Sequence, residues 1–562
     1  MSSSKRPCVA WFAAAGIIWL TACQGAIAEG PEWGKGSSGN GPKNATKPPP
    51  NNAVPDVVDP ATGKPCATDT FTGTRIWRLT DDQYANAISD LLPGIKAPDI
   101  STPGRNGTEF IDYAELLPVN AALLTDVRNS VDEVARKAVA NLPGLLGCQP
   151  SAGCVDGFID RFGARAFRRP LEAAEKSELK ALYISAGADV EGVRTVLTAI
   201  LGSASFLYRT ELGKSGTAGT VELTPHELAS SLSFFLLDSI PDAELWSAAS
   251  DGSIATVDGL KKQVMRLMAL PRVQQNLARI TLKWVGLGGG INPDLAEKYK
   301  ELTPELKASL EEETRLFFDH ILTKGGTLAD VLTSSKGFVN PTLAKHYGLP
   351  AGSAGGTGYT EVSYPPAERA GILTQGAILA RYSLGNPVVF RGKYVRQELL
   401  CGEIPTPPNI PAVEEETAAA ANLPEREQVR RRLAHPICGS CHTMMDPIGL
   451  AFSNYDALAR YRATDAAGKT IDASAVVSNS ADVDGPVMNA VDLAGKMARS
   501  PSVRACIEEK MYSYALGRMT ADLDACELRR IDAYLTTGGG KLADLFTGVI
   551  FSSAFRYRTG GT

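Results

Sequence analysis

The chain has 562 residues, 44% of them hydrophobic, and 57 lysines and arginines against 62 aspartates and glutamates give a net charge of −5. That length holds several domains, and the apolar share is ordinary for a globular protein, which excludes a wholly disordered chain. The mildly acidic balance, without a long basic block, argues against nucleic acid as a partner.

Lys5 and Arg6 form a positive opening segment, and a mostly apolar run follows from Val9 to Leu20. The run is too short to anchor across a bilayer, so residues 1–22 read as an export signal. It ends in Leu20-Thr21-Ala22-Cys23, which resembles the lipobox of bacterial lipoproteins. The resemblance implies cleavage before Cys23 and acylation of its thiol and new amino terminus. Gln24, in place of an aspartate, then implies a lipid anchor in the outer membrane of the cell envelope. The alternative is an ordinary signal peptide that leaves Cys23 a free thiol. Residues 23–66, rich in Gly, Pro, Asn and Ser, read as a flexible tether. No later stretch is long and apolar enough to span a membrane.

The remainder is mostly helical in pattern, with no convincing period-two series, so the fold class is mainly α. Thr80 caps a helix that leads through Ile88 to Leu91 and Leu92, and a variable stretch follows. Cys154 to Leu182 predicts a helical pair broken at Arg168-Arg169-Pro170-Leu171, with Pro170 at the start of the second helix. Val193 to Leu207 predicts one apolar helix. Thr224, Pro225 and Glu227 make a capping-box start for a helix through Leu232, Phe234 and Phe235, and Asp242 starts the next. Further helices are predicted over Leu260–Met268, Val273–Trp284 and Pro304–Leu322. The region then ends in Phe338 to Gly348, and Gly352 to Gly358 reads as a loop. Gly371–Ala380 and Lys393–Leu400 look helical, Ile404–Pro411 extended, and a helix from Pro424 to Leu433 follows.

That helix delivers Cys438-Gly439-Ser440-Cys441-His442, a C-x-x-C-H string. It is the attachment signature of a c-type haem: two thiols add across the vinyl groups and the adjacent histidine coordinates the iron. The predicted cofactor is one covalently bound c-type haem, with His442 as proximal ligand. Pro447 and Gly449 predict a loop after the string. Met445, Met488, Met497 and Met511 are all available as distal ligand, and the sequence does not choose among them. His435 reads as a loop residue. Arg460, Tyr461 and Arg462 are candidates either for haem propionates or for a solvated helix end. The competing reading is zinc held by Cys438, Cys441, His442 and His435, against which adjacent Cys441 and His442 rarely point at one metal. Helices are predicted over Val491–Arg499, Val503–Leu516 and Asp524–Leu535. The other histidines, His226, His320 and His346, are scattered and read as structural.

Setting aside Cys8, Cys23 and the two haem thiols leaves Cys66, Cys148, Cys154, Cys401, Cys506 and Cys526. An even number in an oxidising compartment predicts up to three disulfides. Local pairing favours Cys148 with Cys154 and Cys506 with Cys526, and Cys66 with Cys401 follows by elimination. The alternative leaves some as buried thiols.

Several stretches run in a recognisable order: Arg78-Leu79-Thr80 with Asp90-Leu91-Leu92, Phe162 to Leu171, Leu228 to Leu236, Arg369 to Gln375, Met445 to Gly449, and Tyr514 to Arg518. As a set they resemble exported bacterial proteins built from the domain-of-unknown-function series 1587, 1595, 1592, 1588 and 1585, with a planctomycete-type cytochrome c module. The resemblance implies small helical domains over residues 67–145, 146–212 and 220–350, a haem-attachment domain over 359–464 and a C-terminal helical domain over 485–560. It implies a haem-bearing exported protein and no particular reaction. The family often carries a carbohydrate-binding module, for which this sequence shows no candidate. Three functions stay open: electron transfer at the cell envelope to an unidentified redox partner, a peroxidase- or oxygenase-like haem oxidoreductase, and an envelope binding or scaffold protein whose haem is secondary.

Overall fold

Residues 73–100, 117, 119–149, 151–214, 219–405 and 423–560 are described in a computed structural model. The leader with Cys23, the tether, Cys66 and residues 406–411 lie outside them. The fold is mainly α. The strands are short: β1 (Arg75–Arg78), β2 (Tyr208–Glu211), β3 (Gly219–Glu222), β4 (Lys336–Val339), β5 (Thr360–Ser363), β6 (Ala475–Val477), β7 (Gly485–Val487) and β8 (Tyr557–Gly560). They pair antiparallel in twos, β1 with β2, β3 with β8, β4 with β5 and β6 with β7. The β3–β8 pair sets Gly219 opposite Gly560. Among described residues no helix is long and apolar enough to cross a membrane.

Helix starts follow the local chemistry. Thr80 accepts from the backbone N–H of Gln83 at 3.2 Å, and the Gln83 side chain accepts from the Thr80 N–H. Thr224 and Glu227 make the same reciprocal pair, with Pro225 in the first turn, where its missing N–H costs nothing. The helix Pro225–Leu236 is buried on every side from Leu228 onward, as an all-round apolar helix must be. It divides two cores. Phe234 packs with Tyr84, Phe158 and Phe206, whereas Phe235 packs with Trp284, Phe317 and Phe546.

Several expectations are corrected. The break after Phe167 is where predicted, yet the next helix begins at Ala173 behind Glu172, so Pro170 lies in the link. The reason is Arg168: its backbone is left-handed, φ 59°, and its buried guanidinium donates to carbonyls of Ala166, Ser205, Phe206 and Tyr208. The predicted helix to Leu207 stops at Leu201, and Ser203 caps a short turn that leads into β2. The variable stretch contains the helix Ala121–Val139, whose apolar residues Leu123, Val127, Val131 and Val134 form one stripe.

The Cys148–Cys154 disulfide is present. The other pairings are not the predicted ones: Cys401 bonds Cys506, with their Cα atoms 5.6 Å apart. Cys526 is disulfide-bonded to a partner outside the described residues. Proximity in sequence misled here, because the turn Val395–Leu399, just before Cys401, packs against the helix Pro501–Leu516 in space.

One close approach positions everything described next. The helix Pro387–Tyr394 crosses the helix Gly439–Leu450 through glycines: a Cβ on Gly449 would collide with the Val388 carbonyl, and one on Gly392 with the Met445 carbonyl. Val388 and Leu450 pack there with Val429. In a free helix, Gly→Ala gains about 1 kcal/mol from propensity. Here backbone opposes backbone, and overpacking costs about 1–3 kcal/mol or more. Gly449→Ala is therefore expected to lose about 2 kcal/mol net, read from the denaturant midpoint, and a gain would show that the crossing is slack.

Candidate functional site

The string Cys438–His442 begins the helix Gly439–Leu450, and this overturns the expected loop. Pro447 lies inside the helix and leaves the Thr443 carbonyl without its helical donor. Neighbouring contacts hold the turn together: Arg396 Nε donates to the next carbonyl, that of Met444, at 3.0 Å. Arg396 sits in a π turn, Val395–Leu399, that continues the crossing helix, and its other nitrogens donate to carbonyls of Ser478 and Asn479. Single π turns recur at functional sites because they re-aim one side chain without ending the helix. Sequence periodicity over Lys393–Leu400 could not reveal this shift of phase.

His435 prepares the start of the attachment helix. Its Nδ1 accepts from the N–H groups of Ile437 and Cys438, at 3.3 and 3.2 Å. That use as a cap takes it away from the tetrahedral arrangement the zinc reading needs. Among described residues, no group of three or more His, Cys, Asp or Glu side chains gathers as a metal-binding cluster.

Cys438 and Cys441 are the free cysteines among the described residues, both half-buried. Three positions apart on a helical turn, they share one face. His442 follows, and its Nδ1 lies 2.8 Å from Asp446 Oδ1, one turn along the same helix. Asp446 is 0% exposed, and its second oxygen accepts from Arg432 Nε at 2.8 Å. Arg432 comes from the helix Glu425–Ala434, which packs against the attachment helix. A carboxylate oxygen accepts, so this contact places a proton on Nδ1 and turns Nε2 away from Asp446. Two free thiols on one face and an adjacent imidazole held through its Nδ1 fit the protein side of a c-type haem. Asp446 and Arg432 were missed by sequence reasoning, although the i, i+4 spacing of His442 and Asp446 was there to be read.

The chain after the helix is held by side chains that donate to its carbonyls. Arg391 reaches Tyr455 and Asp456 at 3.0 and 2.7 Å, Arg369 reaches Ala459, and His346 Nε2 donates to Leu458 at 2.7 Å. Burial draws Arg391 down to about 10, which still leaves it charged at neutral pH. Arg460 is taken up by Asp456 at 2.7 Å and Glu301 at 3.0 Å, and Tyr461 packs edge-on against Tyr455.

The methionine candidates are dispersed. Met445 is buried on the attachment helix itself, so the chain makes no fold-back at that residue. Met497 and Met511 fill the larger core. Met488, 71% exposed, lines a groove of about 670 Å³ together with Pro447 and Leu450 of the attachment helix and Leu433. His226 packs edge-on against Trp246, and His320 lies 3.6 Å from Glu361, both far from the string in sequence.

Four family models, each described as a protein of unknown function, match this chain. They are DUF1595 over residues 154–211, DUF1592 over 223–349, DUF1588 over 369–465 and DUF1585 over 485–555. The attachment string lies within the DUF1588 match, whose short name, PSCyt3, points to a cytochrome-type module. No curated protein and no solved structure matches the chain.

Proposed function

We propose that this chain, which belongs to the proteins carrying DUF1595, DUF1592, DUF1588 and DUF1585 in series, is a c-type haem lipoprotein that transfers electrons at the cell envelope. The observation that carries the reading is the pair of free thiols beside an oriented histidine, in a chain whose other described cysteines are disulfide-bonded. Cys438 and Cys441 would hold the haem covalently, and His442 Nε2 would ligate its iron. When bound, the haem supplies one-electron exchange between ferric and ferrous iron.

The chain's own residues supply rigidity. The glycine crossing, Arg396 on the Met444 carbonyl, and Arg391 and Arg369 on the following loop fix the ligand helix from several sides. A site held this way moves little when its charge changes, which suits electron transfer. The lipobox-like Cys23 supports attachment to the outer membrane, with the glycine- and proline-rich tether giving reach to an unidentified redox partner. A second reading, haem-dependent oxidoreductase chemistry, draws on the placement of Met445, Met497 and Met511 in packed interior.

The test is to export the full chain in cells that carry haem-maturation machinery and examine it on a denaturing gel and by visible spectroscopy. Wild-type protein is expected to retain haem through denaturation, and Cys438→Ala with Cys441→Ala to lose it entirely. Wild-type protein without covalent haem overturns the proposal. Low-spin iron that excludes cyanide supports electron transfer, whereas ready cyanide binding favours the oxidoreductase.

A further inference from the structure

The hydrogen bond between His442 and Asp446 reaches beyond orientation. Asp446 is fully buried, yet it meets two partners of different kinds: the imidazole Nδ1 of His442 and the guanidinium of Arg432, each at 2.8 Å. The helix must continue unbroken through Pro447's first neighbours to bring residue 446 one turn above residue 442. The two donors oppose each other. A carboxylate on Nδ1–H makes the opposite nitrogen more basic, as such outer partners do for metal-bound histidines. Arg432, 22% exposed, withdraws part of that charge from one side.

We infer that Asp446 is a positioning residue that fixes the His442 tautomer and, by lending it negative charge, lowers the reduction potential of the site, with Arg432 as the opposing control. This rests on the haem reading above. A more basic ligand favours ferric over ferrous iron, so hydrogen bonding around the ligand is one of the levers on potential. A merely structural carboxylate would affect the melting temperature and leave the direction of any potential shift unspecified.

Two experiments test it. In the haem-free chain, ¹⁵N chemical shifts of the His442 ring are expected to show the Nδ1–H tautomer. Finding Nε2–H instead overturns the inference without touching the haem proposal. In the mature chain with covalent haem, potentiometric titration is expected to place Asp446→Asn above wild type and Arg432→Gln below it. Equal midpoints, or shifts of one sign in both variants, overturn it. If Asp446→Asn does not fold, the direction for Arg432→Gln alone decides: unchanged or raised overturns the inference. Wild-type protein that carries no haem at all is a separate result, and it removes the underlying reading.

Discussion

Glu211→Ala is expected to cost about 3–5 kcal/mol, the usual loss when one partner of a buried ion pair is removed. Glu211 sits in a knot of buried and half-buried arginines. Its carboxylate accepts from Arg558 at 2.5 and 2.9 Å and from Arg75 at 2.8 Å, with Arg209 at 3.7 Å. Arg75 and Arg209 also lie over the Trp77 ring, 4.4 and 4.2 Å from its centroid. Deleting the carboxylate leaves several guanidiniums facing one another away from water, where like charges are least screened. Glu211→Gln keeps the shape and should lose nearly as much, which separates charge from packing. Equilibrium denaturation followed by circular dichroism checks both. Agreement of both variants with wild type to within about 1 kcal/mol would show that water reaches the knot.

The same cluster sets a pH dependence. Burial pushes the Glu211 carboxyl up, but Arg558, Arg75 and Arg209 together outweigh burial and hold it well below its ordinary value of 4.5. A depressed acid contributes fully above its unfolded value and loses that contribution as pH falls through the folded one. Stability from this knot is thus complete above about pH 4.5 and declines only in stronger acid. Burial draws Arg209 down to about 10, so it remains charged across the neutral range.

Cys401→Ser with Cys506→Ser is the other large effect. The crosslink spans a sequence separation of 105, and closing a loop of that size is worth about 4–5 kcal/mol on chain-entropy grounds. The attachment string lies inside this loop. We expect the thermal transition of that region to fall by on the order of 10 °C. Differential scanning calorimetry of the double variant reads it, and an unmoved transition would mean that contacts such as Lys510 with Glu398, at 2.8 Å, already hold the loop closed.

What the sequence made legible was local. The capping boxes at Thr80 and Thr224 are short-range hydrogen-bond chemistry, and each helix begins where they say. The C-x-x-C-H string stood out because thiols and imidazole at fixed spacing have few uses, and it opens a helix with both thiols free. Pro447 was misread because a proline weakens a helix only relative to alternatives, and here Arg396 and the glycine crossing arrive from residues about fifty positions earlier. The same distance hid Asp446: once the stretch around Pro447 and Gly449 read as a loop, its i, i+4 relation to His442 carried no meaning. Disulfide partners failed for a related reason, since Cys401 and Cys506 meet only after the intervening chain has folded.

The pairing of β8 with β3 also bears on how the protein is made. Glu211 and Arg558 are 347 residues apart, so the buried acid cannot collect its main counter-charge until the last strand has been synthesised. Contacts of such separation form late, because the entropy of closing so long a chain is spent before any of them form. The C-x-x-C-H string, at residues 438–442, is therefore synthesised before the body can lock shut.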